Sequence, residues 1–220
     1  MDRRRMLTTL LAGGAAAPLV LNELVGEVLA RDARQGLRGF HGDVTVNGAP
    51  ARFGMDIQPG DTVRTGNGAE AIYVIGGDVF MQRGSSHIAF GSGAAADLMR
   101  VITGRLLSVF ARGQRRIATP AATIGIRGTG CYIEAGEEKT YFCLCYGDAE
   151  IARAGDPAQI ETIRTRHHDK PMWLHDKAGG EMMTAGSVIN HTDAELTLLE
   201  GLVGRRPPFA GTGWPPGQGY

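Results

Sequence analysis

The sequence predicts an all-β fold, and three observations carry that prediction. Glycine is abundant, 33 of 220 residues, and spread along the chain, which suits many short strands with tight turns and not a helical bundle. Turn signals such as Asn47-Gly48, Pro59-Gly60-Asp61 and Gly76-Gly77-Asp78 recur between β-branched and aromatic runs. Those runs follow one another about every 8–12 residues, the interval of a sandwich, a roll or a solenoid. With 43% hydrophobic residues the chain can bury a core, and its length suits one domain with short appendages. Lys plus Arg and Asp plus Glu both total 23, so the formal charge is zero and bulk electrostatic binding of nucleic acid is excluded.

Residues 1–30 have the pattern of an export signal. Arg3-Arg4, a spacer, then Met6-Leu7 resembles the twin-arginine signal, and an Ala- and Gly-rich apolar stretch from Leu10 to Leu21 follows. Val28-Leu29-Ala30 supplies a small-residue cleavage site. The apolar stretch falls short of the roughly 20 residues a spanning helix needs, so a periplasmic, cleaved protein is expected. An uncleaved inner-membrane anchor facing the periplasm is the alternative. Twin-arginine export carries folded proteins, which suits one that loads a metal or cofactor before crossing.

Residues 31–39 are expected to be an exposed leader. Val44-Thr-Val46 runs into the Asn47-Gly48 hairpin turn. Strands are then expected at Ala69–Ile75, Val79–Gln82, His87–Phe90, Leu106–Phe110 and Arg115–Ala118, while 97–102 fits either a strand or a short helix. The run Thr119-Pro-Ala-Ala-Thr-Ile-Gly-Ile-Arg-Gly-Thr-Gly130 puts a β-branched core between a proline and two glycines, as a strand entering a tight corner does. Arg127 within it is expected to tie buried carbonyls at that corner. A hairpin of Cys131–Glu134 with Thr140–Tyr146 follows. Thr192-Asp-Ala-Glu195 is a capping box, so a short C-terminal helix is expected over about 193–203, ended by Gly204 and followed by a Pro/Gly-rich tail over 205–220.

The run at 119–130 resembles the signature of the FecR-type domain, named for the periplasmic regulator of ferric-citrate uptake. Gly42-Asp-Val-Thr-Val-Asn-Gly48, Ile57-Gln-Pro-Gly-Asp-Thr-Val-Arg-Thr-Gly66 and Gly104-Arg-Leu-Leu-Ser-Val-Phe110 resemble further segments of that family, in the right order. The resemblance covers 39–152 and implies a rolled or solenoid-like β domain, with 153–204 as an extension holding a His-rich loop and the helix. It also implies a non-catalytic binding or signalling module whose partner is an envelope protein or a small ligand. The chain departs from the family's transmembrane regulators. Neither a sigma-binding segment before the apolar stretch nor the long receptor-contacting region is expected, so direct sigma-factor regulation is not expected either.

Sulfur and imidazole groups are concentrated after residue 130. Cys143 and Cys145, two apart on a strand, share one face. With His167 and His168 they are the expected metal ligands, and Cys131 and His191 are further candidates. Soft thiolates with imidazoles are a set for zinc or iron. Adjacent histidines on an extended strand point to opposite faces, so only one of His167 and His168 is expected at a given ion. Cys131 depends on register. A turn of two or four residues centred between Glu137 and Glu138 sets it beside Leu144, away from the other two sulfurs; a three-residue turn sets it opposite Cys143. A disulfide with one spare thiol, or cysteines that merely pack, are the competing readings. His167-His-Asp-Lys-Pro-Met-Trp-Leu174 and Asn190-His-Thr-Asp193 resemble segments of exported FecR-like proteins that carry the same cysteine hairpin. A cysteine-dependent hydrolase or transferase, with Cys143 or Cys145 as nucleophile and His167 or His168 as base, is the catalytic alternative. No nucleophile elbow, oxyanion hole or phosphate loop accompanies it, so no enzyme is expected.

Overall fold

The computed structural model describes residues 35–177 and 179–211. The expected signal helix, residues 31–34 of the expected leader and the last part of the Pro/Gly-rich tail lie outside them; residues 36–39, expected to be exposed leader, are instead buried in a strand because Leu37 enters the main core.

Fourteen strands join in one open sheet. They are β1 (Gly36–His41), β2 (Val44–Val46), β3 (Ala49–Pro50), β4 (Thr62–Thr65), β5 (Glu70–Ile75), β6 (Asp78–Gln82), β7 (Ser86–Phe90), β8 (Leu98–Val109), β9 (Gln114–Ala118), β10 (Ala122–Ala135), β11 (Lys139–Arg153), β12 (Ile160–Thr165), β13 (Met172–His175) and β14 (Met183–Ala185). Among the described residues the one α-helix, α1 (Asp193–Leu202), follows them. The all-β class is as expected. Among the described residues β8 and β9 form the one parallel pair, and the other pairings are antiparallel. No described helix is long and apolar enough to cross a membrane.

Three long strands fold the sheet over on itself. The first half of β8 pairs with β7 and its second half with β6 and β10. β10 pairs first with β9 and then with β8, and β11 pairs with β13 at one end and β12 at the other. Each strand therefore passes from one layer to the next. The register of β10 against β11 slips between Arg127 and Gly130, so the expected corner is a bulge within one long strand. Arg127 does not tie carbonyls there: its side chain is exposed and makes no hydrogen bond among the described residues. Gly147 crosses the same bend at φ 103°, where a Cβ would stand 2.5 Å from the Thr129 methyl.

Apolar patterning accounts for the layers. β2 and β4 alternate buried and more exposed residues, as strands with one wet face do. β5 and β6 carry continuous apolar runs, Ala71–Ile75 and Val79–Met81, because their layer is covered on both faces. Between the layers lies the main core, with Leu37, Tyr73, Phe80, Leu106, Ile124 and Phe142. On the outer face of the doubly buried layer, a second cluster joins Ile72, Val74, Val79, Leu107 and Val109 to Leu196 and Leu199 of α1. Burying each such side chain contributes on the order of 1.5–3 kcal/mol, more than a surface contact could. The sheet also runs on past residue 152, since β12 and β13 both pair with β11.

Candidate metal centre

The site forms where β11, the turn after β12 and the start of α1 meet on the second cluster. β11 alternates across its layer: Phe142 and Leu144 face the main core, while Tyr141, Cys143 and Cys145 face α1. The β10–β11 hairpin pairs Ala135 with Thr140 and Cys131 with Leu144, which is the four-residue turn. Cys131 therefore lies on the main-core face, away from the other two sulfurs. All three cysteines are buried, and none is paired in a disulfide in this structure.

A local turn delivers His168. The Asp169 carboxylate accepts from the Arg166 amide at 2.7 Å, closing the chain after β12. His168 then takes φ 51°, and its amide donates to the Cys145 carbonyl at 2.9 Å. That left-handed residue breaks the alternation expected of adjacent histidines, and both rings meet the Asp193 carboxylate. His167 Nε2 lies 2.8 Å from Asp193 Oδ2, and His168 Nε2 lies 3.1 Å from Oδ1.

His191 arrives from the other side, just before the helix cap. Asn190 at φ 55° turns the chain inward, and its amide donates to Glu134 at 2.7 Å. The His191 ring stacks on Tyr132 at 4.6 Å between centroids. Its Nδ1 lies 2.6 Å from the Ile189 carbonyl, which leaves Nε2 facing the sulfurs. Thr192 caps α1 through the predicted box, with Glu195 reaching back to the Thr192 amide at 2.9 Å.

The result is a buried cluster of Cys143, Cys145, His168 and His191, one candidate ligand atom from each, all within 4.8 Å of one another. Cys143 Sγ lies 3.4 Å from His168 Nδ1, and His191 Nε2 lies 3.1 Å from that same nitrogen. Zinc bonds of about 2.3 Å to sulfur and about 2.0 Å to nitrogen, at tetrahedral angles, put ligand atoms about 3.3–3.8 Å apart. These two separations are close to those edges, and the other pairs lie within 4.8 Å. Each imidazole also has an outer partner on its far nitrogen, Asp193 for His168 and the Ile189 carbonyl for His191, which is how metal-binding histidines are oriented.

The hydrogen bond with Cys145, and then those with His168 and His191, hold the Cys143 thiol far below its usual range against the opposing effect of burial. Burial raises Cys145 and Cys131. Burial lowers His168, but hydrogen bonds with Asp193 and Cys143 outweigh it and bring it up to about 9.

Of the four expected ligands, Cys143, Cys145 and His168 come together, and His191 stands where His167 was expected. His167 belongs to an adjoining group with His168 and Asp193. His175 is elsewhere, bonded to Thr184 at 3.0 Å. Asp193 was legible only as part of a capping box. Nothing in its sequence position marks it as the partner of two histidines that lie 25 and 26 residues earlier.

No protein-family model matches this chain, and no curated protein matches it. Solved structures give a distant likeness. Two crystal structures of a candidate anti-sigma factor from Parabacteroides distasonis ATCC 8503 align with TM-scores of 0.47 and 0.46 at 11% identity. Each alignment covers 56% of this chain and 59% of the other.

Proposed function

We propose that this chain is a non-catalytic, FecR-like binding or signalling module of the bacterial envelope, built around a closed zinc site of Cys143, Cys145, His168 and His191. The observation that carries the metal reading is the cluster itself: two sulfurs and two oriented imidazoles, all buried, with their candidate ligand atoms within 4.8 Å of one another. Four protein ligands leave no open position, the mark of a structural rather than a catalytic zinc site. A metal there joins β11, the turn after β12 and the start of α1, segments far apart in sequence. Iron is the alternative ion for the same donors. The four ordered motif segments and the export pattern of residues 1–30 support the FecR-like, periplasmic part of the reading, with an envelope protein or small ligand as partner and no nucleic acid.

A second reading has one observation in its favour. Cys143, His168 and Asp193 line up as nucleophile, base and carboxylate, the order a cysteine-dependent hydrolase or transferase uses. Burial counts against it, because Cys143 is 0% exposed and offers a substrate no approach.

Cobalt substitution tests the proposal. Cobalt(II) in this site should show the intense visible bands of a tetrahedral ion together with thiolate charge transfer, both absent from the Cys143→Ser, Cys145→Ser double variant. A weak octahedral spectrum, or one unchanged by that double substitution, would remove the metal from this site. Rapid alkylation of Cys143 in the native protein at neutral pH would instead favour the nucleophile.

A further inference from the structure

Helix α1 has ten residues, fewer than the roughly 12–15 at which an isolated helix begins to hold in water. Its order depends on what it touches, and three ties are present. Leu196 and Leu199 pack on the outer sheet face around Ile72, Val79, Leu107 and Val109. Charged side chains clamp its flank: Arg83 bonds Glu195 at 2.5 Å and also Glu70, while Glu200 accepts from Tyr146 at 2.5 Å and from Arg205. The third tie is at the start of the helix. His191 immediately precedes the Thr192 cap and is a member of the Cys/His cluster, and Asp193, the first helical residue, accepts from His168.

The third tie differs in kind from the others. The leucines and ion pairs fix the body of α1 to β5, β6, β8 and the middle of β11. Only His191 and Asp193 fix its first turn to the β11 sulfurs and to the turn at 166–169. Without that tie the first turn keeps the Arg83–Glu195 pair but loses its link to the β11 sulfurs and the turn at 166–169. The uncovered surface would be an apolar sheet face that is buried at every position named above. Soluble proteins rarely leave such a face bare unless it meets something.

We propose that the metal is the latch of α1: a filled site docks the helix, and an emptied one releases it and uncovers the outer face of the sheet. The inference rests on the zinc reading above and adds to it a regulation, in which metal occupancy sets whether that face is available.

Hydrogen exchange on the full chain tests the latch, with metal content measured on the same samples. Metal-loaded protein, chelated protein and the Cys143→Ser, Cys145→Ser variant are compared. The amides of 196–203 are expected to exchange at least about tenfold faster once the metal is gone, while the paired amides of β1 and β5 keep their rates. Equal α1 rates with and without bound metal would overturn the latch and leave the zinc site standing. Equal acceleration in β1 and β5 would also overturn it, since that is global unfolding and not helix release. Absence of stoichiometric metal would overturn the zinc site and the latch together. Arg83→Met separates the ties: it should leave α1 protected while metal is bound, and loss of protection in that loaded variant would make the ion pair the latch.

Discussion

Replacing Cys143 and Cys131 one at a time by serine separates the two faces of a single hairpin. The register sets Cys131 against Leu144, on the main-core side, while Cys143 points at His168 from the other side. Structural zinc sites contribute about 10–16 kcal/mol, so an even share over four ligands is about 2.5–4 kcal/mol each, or about 70- to 900-fold in affinity. Cys143→Ser should weaken zinc by that factor. Cys131→Ser should leave affinity unchanged and cost only stability, because a hydroxyl would replace a thiol that is 0% exposed in the main core. An unsatisfied buried polar group costs about 1–3 kcal/mol. At about 2–4 °C of melting temperature per kcal/mol for a chain of this size, that is a fall of about 2–12 °C. Chelator competition gives the affinities, and a thermal melt of the metal-loaded protein gives the stability. If Cys131→Ser lost zinc as Cys143→Ser does, the register and the assignment of faces would both be wrong.

Other outcomes follow from particular contacts. Asp193→Asn removes the carboxylate that orients His168, and should weaken zinc by about 10- to 100-fold in the same competition assay, with stoichiometry kept. His167→Ala should leave one metal per chain in elemental analysis, since its ring lies outside the four-member cluster. Gly130→Ala would put a Cβ 2.5 Å from the Tyr146 ring, and overpacking of this kind costs about 1–3 kcal/mol, visible as a lower midpoint in urea. Tyr146 also bonds Glu200, so the same substitution should raise exchange in α1. His87 titrates below the usual histidine range because of burial and, after that, the facing Arg64; Arg64→Gln should move its midpoint upward in an NMR titration of the ring protons, and an unmoved midpoint would leave burial as the whole cause.

Much of the fold was legible because its signals are local. Asn47-Gly48 turns β2 into β3 with both residues at positive φ, as that dipeptide favours. The capping box at Thr192 starts α1 where expected, and the helix ends one residue earlier than the expected 203. The region 97–102, open between helix and strand, became the first half of β8, because its alternate residues Met99 and Val101 enter the main core. Strands β12 to β14 were not foreseen. They are short and polar on one side, and pairing with β11 holds Ile160–Thr165 and Met172–His175 in extended form.

The cluster was half legible for the same reason. Cys143 and Cys145 share a face by the period of the strand alone, so their pairing is a local fact. The choice of His168 over His167 depends on one left-handed residue set by the Asp169 turn, and the arrival of His191 depends on how α1 lies across the sheet. Neither is visible in composition or spacing. Arg83 left no sequence signal at all, although it ties Glu70 of β5 to Glu195 of the helix.

The most direct measurement is metal content. The protein would be expressed with its own N-terminal segment and purified without an affinity tag or chelator. Elemental mass spectrometry would then be run beside a count of reactive thiols. One zinc or iron per chain is predicted, with Cys143 and Cys145 becoming reactive only after chelation. A metal-free protein with a Cys143–Cys145 disulfide, or with both thiols reactive from the start, would contradict the account.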